Sequence, residues 1–317
     1  MNIGTIISAL ELGGTYAVMA LGIYITYKIL DFPDLTVDGS FPLGSAVTVA
    51  IITRGGSPIV AMLASVIVGA FAGFLTGVIH VKLKIRDLLS GIIMMTGLYS
   101  VNYMIVGSRA NVPIDMKLDT LFSNGITSAI FGSRSVDAPL GFMRDFKRIV
   151  ILAIVLVVLK LALDFFMSSK RGYLLRAMGD NPMVVATLAK NGGNVKIMGL
   201  SIANALVALS GSLFCQYNSA FNLTDGTGKM VIGLAAVIIG VNIFGRIRFL
   251  KNTSAVMIGA IIYTACVTLA LDKFDAQVMK LVTAVLFLAV LVLGQVNIGS
   301  VKLFADKSHH GKGSDEK

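Results

Sequence analysis

Charge is scarce in this 317-residue chain: 14% of its residues are charged, 56% are hydrophobic, and the mean hydropathy is +0.84. A soluble domain carries roughly 25% charged residues, so the chain has too few to cover a soluble surface. Cysteine occurs twice, and both Cys215 and Cys266 fall inside apolar runs, where they read as small core residues. They suggest neither a disulfide framework nor a metal site. Histidine is confined to His80, at the end of an apolar run, and to His309 and His310 in a polar tail, so no metal chemistry is expected. No GxxxxGK[ST] phosphate loop is present, since GTGKM and HGKGS both miss the spacing. The chain therefore lacks the usual means of binding ATP. No catalytic constellation stands out at any pair of apolar runs, which argues against a membrane-embedded enzyme. No cleavable signal peptide is expected, because the opening apolar segment continues to Leu30 without a basic n-region.

Long apolar runs fill most of the chain. Stretches such as 57–79 and 149–159 match lipid-crossing helices, which need about 20 apolar residues each. Nine segments are read, over 4–29, 41–53, 58–81, 88–107, 149–168, 197–217, 230–245, 254–271 and 279–296. The expected fold class is all-α, a polytopic membrane protein with about eight or nine transmembrane helices. The net charge of +10 resides in short clusters between the spans: Lys82, Lys84 and Arg86; Lys170, Arg171, Arg176, Lys190 and Lys196; Arg246, Arg248 and Lys251. The tail adds Lys302, Lys307, Lys312 and Lys317. By the positive-inside rule these clusters mark the cytoplasmic side. The N-terminus and the polar segment 108–147 are then expected outside, and the C-terminus inside.

Segments 41–53 and 230–245 are short for full spans, and a similar polar interruption precedes each. It reads DLTVDGS at 34–40 and NLTDGTG at 222–228. Residues 16–40 align with 203–227 through one gap, so that AVMAL meets ALVAL and LTVDG meets LTDG. The two blocks, 1–107 and 197–296, are separated by the single span 149–168 and so take opposite orientations in the bilayer. Inverted repeats with an interrupted helix in each half are a signature of transporters. Freed backbone is tolerated at membrane depth only where protein or a water-filled cavity satisfies it, and Asp38 and Asp225 would be costly against lipid. Gly39 and Gly226 are expected to let the chain turn, with Thr36 and Thr224 bonding the loosened backbone. Each break reads either as a polar cap at the bilayer surface or as the lining of a solute path. Tyr99 and Asn102 in the fourth segment are candidates to face such a path, with Met94 and Met95 as a soft lining; core packing is the alternative for all four.

Residues 169–196, SKRGYLLRAMGDNPMVVATLAKNGGNVK, join two spans on the basic side. Asp180 or Asn181 can cap a short helix that takes Pro182 in its first turn. That helix runs through MVVATLAK and is expected to end at Asn191, Gly192 and Gly193. Its face of Met183, Val184 and Leu188 is apolar and calls for cover from a partner protein, from its own spans or from lipid headgroups.

The order of that segment, a span, LSGSLF, a polar break, GLAAVIIGVNIFG and a final apolar pair resembles the permease subunits of ATP-binding-cassette importers. The similar group is the branched-chain amino acid and ribose permease family, including permeases assigned to amino acids, and the resemblance covers residues 5–298. It implies a coupling helix that sits in a cleft of a separate ATPase subunit, a role carried to Gly179, Asp180, Asn181, Pro182, Met183, Val184, Val185, Leu188 and Ala189. It also places Thr36, Asp38, Asn222, Thr224 and Asp225 near a path between two permease copies or halves. ATP and magnesium are expected on the ATPase partner and no cofactor on this chain, which is then a transport subunit and not an enzyme. An extracellular solute-binding lipoprotein would deliver a small polar solute, with an amino acid favoured, across the inner membrane of a bacterium.

Three smaller readings complete the picture. Lys160 and Asp164, four apart, can pair on one helix face. Glu11 beside Gly13 and Gly14 reads as close helix packing. Residues 301–317 read as a disordered cytoplasmic tail. The competing function is an ion- or proton-coupled secondary transporter, which inverted repeats alone do not exclude; the scarcity of buried acids weighs against it.

Overall fold

The computed structural model describes residues 3–115, 117–122, 142–181, 185, 192–245, 250–271 and 281–292. Helix α1 (Ile3–Ile23) continues as a π-helical segment over Tyr24–Ile29. After a break come α2 (Val37–Ile52), α3 (Pro58–Val81) and α4 (Asp87–Ile105). Helices α5 (Phe142–Met167) and α6 (Lys170–Asp180) lead to α7 (Gly192–Asn218). A second break precedes α8 (Lys229–Ile239), which continues as a π-helical segment over Gly240–Phe244; α9 (Asn252–Leu271) and α10 (Leu281–Val292) follow. Among the described residues, seven helical stretches are long and apolar enough to cross a bilayer, and α2 and α10 are shorter apolar helices. The chain is an all-α, multi-pass membrane protein.

Helix packing is reciprocal between the blocks. The third helix of the first block, α3, lies along the first of the second, α7, and α1 lies along α9 in the same way. Close approach comes from small residues: Gly69, Gly73 and Gly77 recur every fourth position on α3 and seat against Asn204, Leu200 and Ile197 of α7. In lipid, where apolar burial drives little, such stripes let backbones approach and gain dispersion contacts. Gly13 and Gly14 act likewise, against Ile261 of α9 and Leu152 of α5, as the cluster around Glu11 implied. Lipid-facing surfaces are plain: Ile59, Leu63, Ile67 and Phe71 on α3 and Ile154, Val158, Leu161 and Phe165 on α5 are exposed. A short antiparallel pair, β1 (Asn111–Pro113) with β2 (Ala220–Asn222), ties the end of α4 to the second break.

Several expectations shift. Helix α2 begins at Val37 and carries Asp38 in its first turn. Helix α5 starts at Phe142, within the segment assigned to the outside. Helix α6 is additional to the short helix expected after it; Asn181 ends it in an extended conformation, as a residue before proline must. Gly192 and Gly193 open α7, and Gly193 lies so near Val81 of α3 that a Cβ would collide with it; the helix they were expected to end lies outside the described residues. Cys215 is buried, but Cys266 is exposed on α9. Pro182, Met183, Val184, Leu188, Ala189, Asn191 and the 301–317 tail lie outside the described residues.

Candidate functional site

The two breaks meet inside the bundle. Helix α2 runs beside α7: Ser40 Oγ donates to Asn204 Oδ1 (2.7 Å), Ser45 Oγ to the Gly211 carbonyl (2.8 Å) and Thr48 Oγ1 to Ser212 Oγ (2.6 Å). Asn204 lies twelve residues into the 27-residue α7. That is roughly 18 Å along a helix rising 1.5 Å per residue, near the middle of its length. Asp38, two residues before Ser40, reaches the start of α8, where its carboxylate accepts the backbone N–H groups of Gly228 (2.9 Å) and Met230 (2.8 Å). The first N–H groups of a helix have no partner within it and carry its positive dipole end, so a carboxylate fits there. Gly226 sits so near the Asp38 carbonyl and the Pro42 ring that a Cβ would collide with both.

The glycines of the breaks therefore act through close approach. Gly39 lies inside α2 against Leu98 and Met95 of α4. Left-handed turning is supplied by Asp31 (φ 51°) and Gly228 (φ 80°). Nor do the threonine hydroxyls bond loosened backbone: Thr36 Oγ1 shares a hydrogen bond with Thr76 Oγ1 (3.0 Å), and Thr224 Oγ1 donates to Asn222 Oδ1 (2.9 Å). The loosened backbone at Thr36 is instead held by Asp34, whose Oδ1 accepts its N–H (2.9 Å) while Oδ2 accepts from Asn204 Nδ2 (2.7 Å). Asp34 is 1% exposed, and among the described residues no cation lies within ion-pair distance of it.

Lys229 opens α8 with its ammonium in the protein interior. Nζ donates to the Tyr16 hydroxyl (2.6 Å) and lies 4.4, 5.1 and 4.8 Å from the ring centres of Tyr16, Phe41 and Phe214. Three aromatic faces around one desolvated ammonium form a cation–π box. Four helices (α1, α2, α7 and α8) contribute to it.

Beside Asp38 a cavity of about 400 Å³ opens, lined by Gly39 and Pro42 of α2, by Met95, Thr96, Tyr99, Ser100 and Asn102 of α4, and by Leu223 and Thr227 of the second break. The fourth-segment candidates thus divide. Tyr99 and Asn102 line the cavity with Met95, whereas Met94 packs against the cluster of Leu43, Ala72 and Leu98. Thr36 is buried away from it, and Asn222, Thr224 and Asp225 are not among its lining residues. The exposed surface of α4 mixes Thr96, Tyr99, Ser100 and Tyr103 with Leu88, Leu89, Ile92, Ile93, Val101 and Met104.

At the basic end, Lys28, Arg176, Asp180, Asp164 and Lys251 line a groove of about 560 Å³. Asp164 pairs with Lys160 (3.2 Å), as the spacing implied, and also with Lys251 (3.2 Å) and the Thr253 hydroxyl (2.7 Å). Of the coupling candidates, Asp180 and Asn181 are exposed. Gly179 presses on the Ile29 carbonyl at the end of the π-helical segment, and Val185 is buried in the main core.

Sequence reasoning missed Asp34, Asn204 and Lys229. Lys229 carried a signal, being the lone cation between Lys196 and Arg246 and standing directly after the second polar break. The aromatic residues that enclose it carried none, since Tyr16, Phe41 and Phe214 are separated by whole helices.

Comparison with known proteins agrees with this architecture. The chain is 38% identical over 300 residues to a tyrosine transport system permease protein of Clostridioides difficile, covering 94% of each chain. It is 33% identical over 290 residues to an uncharacterized protein of Rickettsia prowazekii, covering 90% of this chain and 95% of that one. It is 25% identical over 294 residues to the ribose import permease protein of Escherichia coli, covering 92% and 86%. No solved structure matches. The family model described as branched-chain amino acid transport system / permease component matches residues 5–292, and the chain belongs to that family of transporter permease subunits.

Proposed function

We propose that this chain is the membrane-spanning permease of an ATP-driven importer that carries an amino acid inward from an extracellular binding protein. The observation that carries this reading is the meeting of two interrupted helices at mid-depth, joined by Asp38 and flanked by a solute-sized cavity. Transporters place their solute sites at such discontinuous helices. The tyrosine transport permease, similar over nearly its whole length, supports an amino acid as cargo. The basic groove of Lys28, Arg176 and Lys251 supports a cytoplasmic position for that end. There the segment after α6 would engage an ATPase, and the contact of Gly179 with Ile29 would carry its movement into α1 and the first break. The cavity opens beside the exposed hydroxyls of Thr96, Tyr99 and Ser100 on α4, and a second copy meeting α4 there would close it. The test is uptake of L-tyrosine into proteoliposomes holding this chain, its ATPase and its binding protein. Uptake that needs ATP is the expected result; uptake driven by an ion gradient without ATPase would overturn the reading.

Asp34 favours a second reading. A buried carboxylate without a cation at ion-pair distance is the kind of group that binds a proton or sodium ion in secondary transporters. Asp34→Asn decides between them. Under ATP-driven import the variant still transports, because asparagine keeps an acceptor for the Thr36 N–H; under ion coupling its gradient-driven uptake vanishes.

A further inference from the structure

The side chains lining the cavity beside Asp38 offer a carboxylate, an amide and hydroxyls, and among the described residues no lysine, arginine or histidine lines it. At its wall, Asn102 is fully buried and its amide is only half used. Nδ2 donates to the Gly39 carbonyl (3.1 Å), which fixes the amide orientation, since a flipped amide would set two oxygens face to face. Oδ1 is left without a hydrogen-bond partner. A buried acceptor without a donor costs roughly 1–3 kcal/mol, so it is poised to receive one. The Asp38 carboxylate, one helical turn from Pro42, supplies negative charge, partly offset by the nearby Lys229 ammonium, and lone pairs beyond the two taken by α8. Thr96 directs its own hydroxyl proton to the Ile92 carbonyl (2.8 Å) and so presents oxygen lone pairs outward. Met95, Pro42 and Leu223 supply apolar wall.

We infer that this cavity recognises the ammonium end of the transported solute, with Asn102 Oδ1 and the Asp38 carboxylate as its acceptors. The assignment rests on the import reading and deepens it: the solute enters with its amine toward α4. Amines without a carboxylate fit the site, and carboxylates without an amine do not. Neither a neutral sugar nor a free carboxylic acid uses the charge of Asp38.

The experiment uses the full chain in membrane vesicles freed of nucleotide, with exposed Cys266 replaced by alanine and Thr227→Cys as the reporter at the cavity. The rate at which N-ethylmaleimide alkylates the introduced thiol is measured against tyramine and against 3-(4-hydroxyphenyl)propionate. Tyramine should slow alkylation and the propionate should not. Asn102→Leu should raise the tyramine concentration needed by about tenfold or more, the loss of one hydrogen bond to a charged group. Asn102→Asp in its protonated form keeps the acceptor and donates its hydroxyl to the Gly39 carbonyl in place of Nδ2, so protection should persist. If Asn102→Leu leaves the tyramine concentration unchanged, Asn102 accepts nothing from the amine; equal protection by both probes, or by neither, also overturns the inference. No ATPase takes part, so a negative result leaves ATP-driven uptake standing, and failed uptake leaves the protection result standing.

Discussion

Lys229 and Tyr16 offer the sharpest test of the interior, because their single substitutions are unequal. In Tyr16→Phe the ammonium loses its one hydrogen bond, 2.6 Å long, while its charge stays buried among three rings. A hydrogen bond to a charged group contributes about 1.5–3 kcal/mol, so Tyr16→Phe should destabilise by about 2 kcal/mol. Lys229→Met keeps most of the apolar stem and removes the charge. It forfeits cation–π attraction of about 2 kcal/mol and the longer-range attraction of Asp225 and Asp38, and leaves the Tyr16 hydroxyl unpaired, yet it relieves a desolvation cost of several kcal/mol, so the net change should lie within about 1 kcal/mol of zero. The double variant has neither an orphaned hydroxyl nor a buried charge and should be more stable than Tyr16→Phe alone. The coupling energy is then about 2 kcal/mol in magnitude, as expected for side chains in direct contact. Unfolding in mixed detergent micelles, followed by helical circular dichroism at 222 nm, measures all four corners of the cycle. A harmless Tyr16→Phe, or a double variant equal to the sum of the singles, would refute the cation-box account.

Asp38→Asn replaces one carboxylate oxygen with a donor, so one of the Gly228 and Met230 N–H groups loses its partner. A loss of about 1–2 kcal/mol in the same unfolding assay is expected, together with reduced uptake. Gly179→Val would force side-chain carbons onto the Ile29 carbonyl. Overpacking costs about 1–3 kcal/mol, and ATP hydrolysis by the assembled complex should continue while uptake falls; normal uptake would remove Gly179 from the coupling route. Asp164→Asn weakens the contacts to Lys160 and Lys251 at the rim of the basic groove. The first lies on one helix and the second is well exposed, so a change below about 1 kcal/mol, shrinking further in high salt, is expected.

The bundle was legible in the sequence wherever a single helix decides the matter. Apolar runs marked the spans, and their shortness marked α2 and α8 as interrupted, because length and hydropathy are local properties. Lys160 with Asp164 was legible for the same reason, as a four-residue spacing on one helix. What was not legible depends on partners distant along the chain. Asp34 gives no sign of its role until Asn204, 170 residues away, is set against it. Asp38 was recognised as costly in lipid, but its cap on α8 spans 190 residues. The glycines of the breaks were misread because a turn and a close approach call for the same residue, and only the neighbours of Gly39 and Gly226 separate the two.

The two polar breaks share letters, yet they do different work. In the first, the Asp-Gly pair lies within α2 and its carboxylate projects outward to another helix; in the second, the pair precedes α8 and Asp225 caps nothing comparable. The second Asp-Gly pair closes a 3-10 turn, Leu223–Gly226, whose last residue rests on the Asp38 carbonyl and the Pro42 ring. One block thus supplies the anion and the other supplies the helix end and the cation, Lys229, which rests in turn on Phe41 of α2. Sliding one block past the other would separate Asp38 from Gly228 and Met230 and draw Lys229 from Tyr16 and Phe41, while Phe214 travels with it. Charge-assisted contacts of this kind hold within a narrow range of distance, so the two blocks are coupled through two discrete groups at the centre.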